Sequence, residues 1–229
     1  MRKRTKVPSI PFAFAFAFVV ASLFLSPTHS KALTIDLNYV FSGDTPTGSP
    51  PWLIATFDPV DSDTVRLTMT NLLREGEFVR GNLPPQETSA SFGWGFNFNP
   101  SKDVSSLSFS FVSGHEATGY VVGTDEFKAG GDGKFDLLFV WELGFKGGED
   151  SVYEITYSGG LLPSDFDFIS AGNGAGEGVF RSAAHIQGIF GEGSGWIGDA
   201  APVPEPATLL LLGSGLIGVG VFARRKFKR

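Results

Sequence analysis

Apolar residues in the middle of this 229-residue chain recur at every second position, not every third or fourth, and that period is the signature of strands. Leu33, Ile35, Leu37, Tyr39 and Phe41 are interleaved with Thr34, Asp36, Asn38 and Ser42, and Val65, Leu67 and Met69 with Thr64, Arg66, Thr68 and Thr70. The same rhythm runs through Phe92, Trp94, Phe96 and Phe98, through Leu107, Phe109 and Phe111, and through Phe135, Leu137, Phe139 and Trp141. Successive side chains on a strand point to opposite faces, so each stretch offers one face to a core and one to water. Denser apolar runs at 52–57, 120–122, 152–157 and 183–190 predict further strands. Gly, Pro, Asn and Asp clusters at 43–51, 81–85, 130–133, 147–148, 159–160 and 172–178 separate them. With no amphipathic helix of useful length, this pattern predicts an all-β domain over residues 33–200: an antiparallel β-sandwich of jelly-roll type with Phe filling much of its interior.

Charge narrows what such a domain does. All 24 acidic residues lie between Asp36 and Glu205, against eight basic ones there, a net of −16. That field disfavours nucleic acid and anionic lipid. The chain has no cysteine, which removes disulfides, thiol catalysis and Cys-ligated metals. His115 and His185 stand far apart without a second ligand at metal spacing, so neither a zinc site nor a histidine-based catalytic group is expected; His185 reads as a strand-edge residue with a hydrogen-bonded ring. Ser194 lies in Gly-Ser-Gly with no helix after it and does not fit a nucleophile elbow. The Gly-x-Gly-x-x-Gly strings at Gly193 and Gly213 open no βαβ unit. The expectation is a non-enzymatic protein with no catalytic residue, metal or cofactor.

Two alternatives rest on carboxylates and aromatics. Asp125, Glu126, Asp132 and Asp136 are interleaved with glycines in an oxygen-rich loop of the kind that holds Ca²⁺, although without the order of an EF-hand, and Trp196 in its glycine-rich loop is the candidate for stacking on a sugar. Together they define a calcium-dependent lectin or carbohydrate-binding reading. Asp165 and Asp167 flank Phe166, so on a strand they would share a face, as a glycan hydrolase needs. This is the weakest of the three readings.

Both ends carry export signals. Arg2, Lys3, Arg4 and Lys6 precede an apolar run at 10–25; Ser26-Pro27 breaks it, and Ser30 and Ala32 supply the small residues of a cleavage site, predicting a signal peptide over 1–32 handled by the Sec translocon and signal peptidase. Residues 201–206 form a linker that ends in Pro204, Glu205 and Pro206. The uncharged stretch 207–223 would reach roughly 25 Å as a helix, just enough for a hydrocarbon core of about 30 Å with local thinning. Behind it Arg224, Arg225, Lys226, Lys228 and Arg229 fill the tail 224–229 and by the positive-inside tendency stay cytoplasmic, which leaves the acidic domain on the far side. The two prolines hold the peptide extended, outside any helix or sheet.

That order of Pro-Glu-Pro, apolar span and Arg cluster resembles the PEP-CTERM sorting signal of Gram-negative bacteria, and residues 181–199 resemble a segment that recurs before such tails. The resemblance implies a substrate of exosortase, a membrane-embedded protease or transpeptidase that reads Pro204-Glu205-Pro206. It also implies transient anchoring in the inner membrane, then delivery to the cell surface or an extracellular matrix, in association with exopolysaccharide and biofilm.

Overall fold

The computed structural model describes residues 31–82, 92–130, 133–172 and 180–199. Ser30, Pro204, Glu205, Pro206, the span 207–223 and the basic tail 224–229 lie outside the described residues, and Ala32 stands exposed at their start. Among the described residues no helix is long and apolar enough to cross a membrane.

Among the described residues twelve strands follow in order: β1 (Leu33–Gly43), β2 (Leu53–Pro59), β3 (Thr64–Asn71), β4 (Phe78–Val79), β5 (Trp94–Phe96), β6 (Ser108–Gly114), β7 (Gly119–Lys128), β8 (Lys134–Val140), β9 (Phe145–Lys146), β10 (Asp150–Thr156), β11 (Ser182–Ile189) and β12 (Gly193–Asp199). Two short 3-10 turns, Val104–Ser106 and Pro163–Phe166, interrupt them. All pairings are antiparallel and form one sheet in the order β6-β10-β3-β2-β1-β12-β11-β5-β8-β7, with β4 and β9 attached through β11.

The chain is thus mostly β, as its period requires, but the two stacked sheets of the expected jelly-roll sandwich are replaced by a single curled sheet, a half-barrel. The reason lies in β1. Its first part pairs with β2, Leu33↔Phe57 to Leu37↔Leu53, and its second part with β12, Leu37↔Asp199 to Gly43↔Gly195. Irregularities between Leu37 and Tyr39 and between Val40 and Ser42 bend it, so one long strand turns the corner that would otherwise separate two sheets.

Curling brings the halves face to face across an aromatic core. Phe57 on β2 meets Phe96 on β5 edge to face with centroids 5.6 Å apart, and stacks on Phe166 at 4.3 Å. Phe139 on β8 reaches Tyr153 on β10 at 5.1 Å. Even the edge strands touch, Phe109 of β6 lying 4.4 Å from Tyr120 of β7, so side chains close the seam between them. Such pairs contribute about 0.5–1.5 kcal/mol each beyond the apolar area they bury.

A second apolar cluster forms on the opposite face of β8, β11 and β12, from Phe92, Phe135, Leu138, Val140, Phe180, Ala183 and Trp196. These strands are therefore buried on both faces. Trp196, expected in a loop and open to a sugar, sits on β12 at 9% exposure, its ring 4.4 Å from the parallel ring of His185. The other three tryptophans, Trp52, Trp94 and Trp141, are buried as well. His185 is likewise not at a sheet edge: β11 lies between β12 and β5.

Candidate functional site

At one end of the half-barrel a cleft of about 220 Å³ opens between the turn after β5, the bulged middle of β7, the start of β8 and the segment after the second 3-10 turn. Its walls include Asn97, Asn99, Lys102, Thr124, Asp125, Asp136, Phe168 and Ile169. Two of the four loop acids singled out from the sequence, Asp125 and Asp136, are thereby brought together; Glu126 is exposed beside them but is not part of the lining, and Asp132 lies outside the described residues.

Asp136 is the keystone. β8 carries it inward to 9% exposure, where Oδ1 accepts from the Asp125 amide at 2.8 Å and Oδ2 from the Phe98 amide at 2.9 Å. Burial pushes its carboxyl above the usual range, against the two amide hydrogen bonds that favour the ionised form. Asp125 sits at φ 52° in the left-handed region, at the register shift in β7 between Val122 and Phe127, and the carboxylate behind it fixes that turn. Both Asp136 oxygens accept backbone amides, so this acid braces the turn at Asp125. Among the described residues no three His, Cys, Asp or Glu side chains converge on a metal-sized space.

A second carboxylate pins the opposite wall. Asp165 takes Lys102 Nζ and the Leu162 amide on Oδ2 and Asn99 Nδ2 on Oδ1. Burial alone would raise its pKa, but these hydrogen bonds and the lysine charge outweigh it and hold the carboxyl below the ordinary value. Lys102 Nζ also donates to the Gly160 carbonyl at 2.7 Å and lies 5.3 Å from the Tyr157 ring centroid. Asn99 closes an Asx turn, its Oδ1 accepting from the Ser101 amide.

The Asp165–Asp167 pair of the hydrolase reading does not exist as a pair. Both belong to the 3-10 turn and its end, not to a strand, and they face different partners: Asp167 accepts from Arg181 Nη1 at 3.1 Å. Arg181 in turn donates through Nε to the buried Asp199 at 2.7 Å, and Asp199 also takes the amides of Arg181 and Ser182. Burial would lower the guanidinium pKa, yet the two carboxylates raise it. His115 lies 2.8 Å from Glu149 through Nδ1, and His185, with only Gln187 Nε2 at 3.4 Å, has its pKa depressed by burial to about 4. The two histidines share no site.

What remains open in the cleft is narrow. Lys102, the Nδ2 groups of Asn97 and Asn99 and both Asp136 oxygens each have partners within the fold, Asn97 Nδ2 placing both its hydrogens on the carbonyls of Phe180 and Arg181. The exposed Thr124 hydroxyl and Asp125 carboxylate have no side-chain hydrogen bond to another described residue, and Ile169 beside them is 58% exposed. Asn97, Lys102 and Ile169 escaped the sequence reading.

Comparison with known proteins adds one match. Residues 202–226 match the family described as the PEP-CTERM protein-sorting motif. No curated protein and no solved structure matches the chain.

Proposed function

We propose that this chain, which carries the PEP-CTERM sorting motif, is a non-catalytic extracellular protein whose β domain is delivered outside the inner membrane and retained in an exopolysaccharide matrix. The motif supports export and sorting by exosortase, and that match at residues 202–226 is the observation that carries the reading. In this proposal the leader 1–32 is removed during export, residues 207–223 hold the chain briefly in the bilayer with 224–229 on the cytoplasmic side, and exosortase acts at Pro204-Glu205-Pro206 after the linker 201–206. The β domain 33–200 is the cargo. A non-enzymatic role agrees with its carboxylates: Asp136, Asp165, Asp167 and Asp199 all hold backbone or side-chain partners in place, which leaves none of them as a free acid–base group.

Mass spectrometry of the two ends of the extracellular protein tests the sorting reading. The expected product begins after Ala32 and ends near Pro204-Glu205-Pro206, and Glu205→Ala retains residues 207–229. Normal processing of that variant removes the recognition role assigned to the peptide.

A further inference from the structure

The cleft beside β7 is a preformed site whose unspent groups select the chemistry of a ligand. We propose that it binds one non-anionic sugar residue, which donates hydrogen bonds to Asp125 and Thr124 and lays its C–H face on Phe168 and Ile169. This rests on the extracellular, matrix-associated reading only for the source of the ligand.

The argument runs from satisfied groups to unsatisfied ones. Asp136 ties the Phe98 and Asp125 amides, Asp165 ties Asn99 and Lys102, and a backbone bridge between Lys134 and Ala171 ties the third wall, so the cleft keeps its shape when empty. Every cationic or amide donor named in its lining is already engaged. An anionic ligand would thus meet the Asp125 carboxylate with no free cation to offset it. A ligand that brings its own donors meets an acceptor carboxylate and a hydroxyl. The volume is below the span of about 300–1,000 Å³ usual for drug-sized ligands, which fits a single ring and not an extended chain lying in a groove. Ile169, 58% exposed beside the half-buried Phe168, supplies the apolar wall that the C–H face of a pyranose needs. A free amine on the ring strengthens the match, because an ammonium bonded to Asp125 is a charge-assisted pair.

The probes are glucosamine, glucose and glucuronate, titrated into the purified protein and followed by ligand-observed saturation-transfer NMR. Glucosamine is expected to bind best, at about millimolar affinity as befits a single ring, glucose more weakly, and glucuronate not at all. Asp125→Asn should weaken glucosamine by roughly tenfold, the worth of one charge-assisted bond, and glucose by less. Ile169→Ser, which removes the apolar wall from an exposed side chain without adding charge, should weaken glucosamine and glucose, the losses showing against an unchanged circular-dichroism melt. Absence of signal from all three sugars, binding of glucuronate as tight as that of glucosamine, or indifference to both substitutions overturns the site. None of these results touches the end-group masses that test sorting, so the two readings fail separately.

Discussion

His185 offers the sharpest test of the packing described here. Its ring is 7% exposed, stacked on Trp196, and burial lowers its pKa to about 4 from an unfolded value of 6.5. Between those two values the unfolded chain binds a proton that the folded chain refuses, so stability is whole above the unfolded pKa and is lost as pH falls toward the folded one. The full gap is worth about 3 kcal/mol, of which about 2 kcal/mol should be gone at about pH 5. Titratable groups elsewhere add their own pH dependence, and a His185→Phe variant removes theirs by subtraction, since Phe keeps an aromatic ring against Trp196 and does not titrate. Urea unfolding of both proteins between about pH 7.5 and 5 gives the comparison. The variant should gain about 2 kcal/mol on the wild type over that range. A difference that stays flat with pH refutes the claim that the folded state excludes the imidazolium.

Three further outcomes follow from other contacts. A Cβ at Gly195 would strike the Asp44 backbone, so Gly195→Ala should cost about 1–3 kcal/mol in urea unfolding and loosen the β1–β12 pairing in hydrogen exchange. Arg181→Met leaves the buried Asp199 carboxylate with amides alone and should cost about 3 kcal/mol in urea unfolding. Lys102→Met removes a partner that holds the Asp165 carboxyl below its ordinary value; that pairing stabilises above the unfolded carboxylate pKa and fades as pH falls, so the variant's deficit should shrink in acid, as measured by the pH dependence of its urea midpoint.

Most strands were legible because alternation reports strand faces: it located β1, β3, β6 and β8 to within a few residues, and a denser apolar run located β10. It failed in the last strand, where glycines replace the apolar alternation. Gly193–Asp199, read as a loop on its glycines, is β12, a central strand: Gly195 and Gly198 leave room for the Asp44 backbone and the Phe180 ring, a tertiary fact with no local signature. Trp196 was misplaced for the same reason, since its burial comes from Phe92, His185 and the second cluster. In the site, acid spacing drew attention to Asp125 and Asp136 but not to their unequal roles, because which carboxylate meets backbone amides is decided by the bulge in β7. Asp165 and Asp167 would share a face only on a strand; Leu162-Pro163 starts a 3-10 turn there instead.

The registers of β5, β11 and β12 bear on which end of the domain has room. Phe96 pairs with Ser182, Ala183 with Gly198, and Leu37 with Asp199, so the last residue of β12 and the rim of the cleft share one pole of the half-barrel. The chain therefore leaves the described domain from the same pole that carries the cleft, and a polymer too bulky to pass whatever follows Asp199 would be kept from the rim while a single small ring would not.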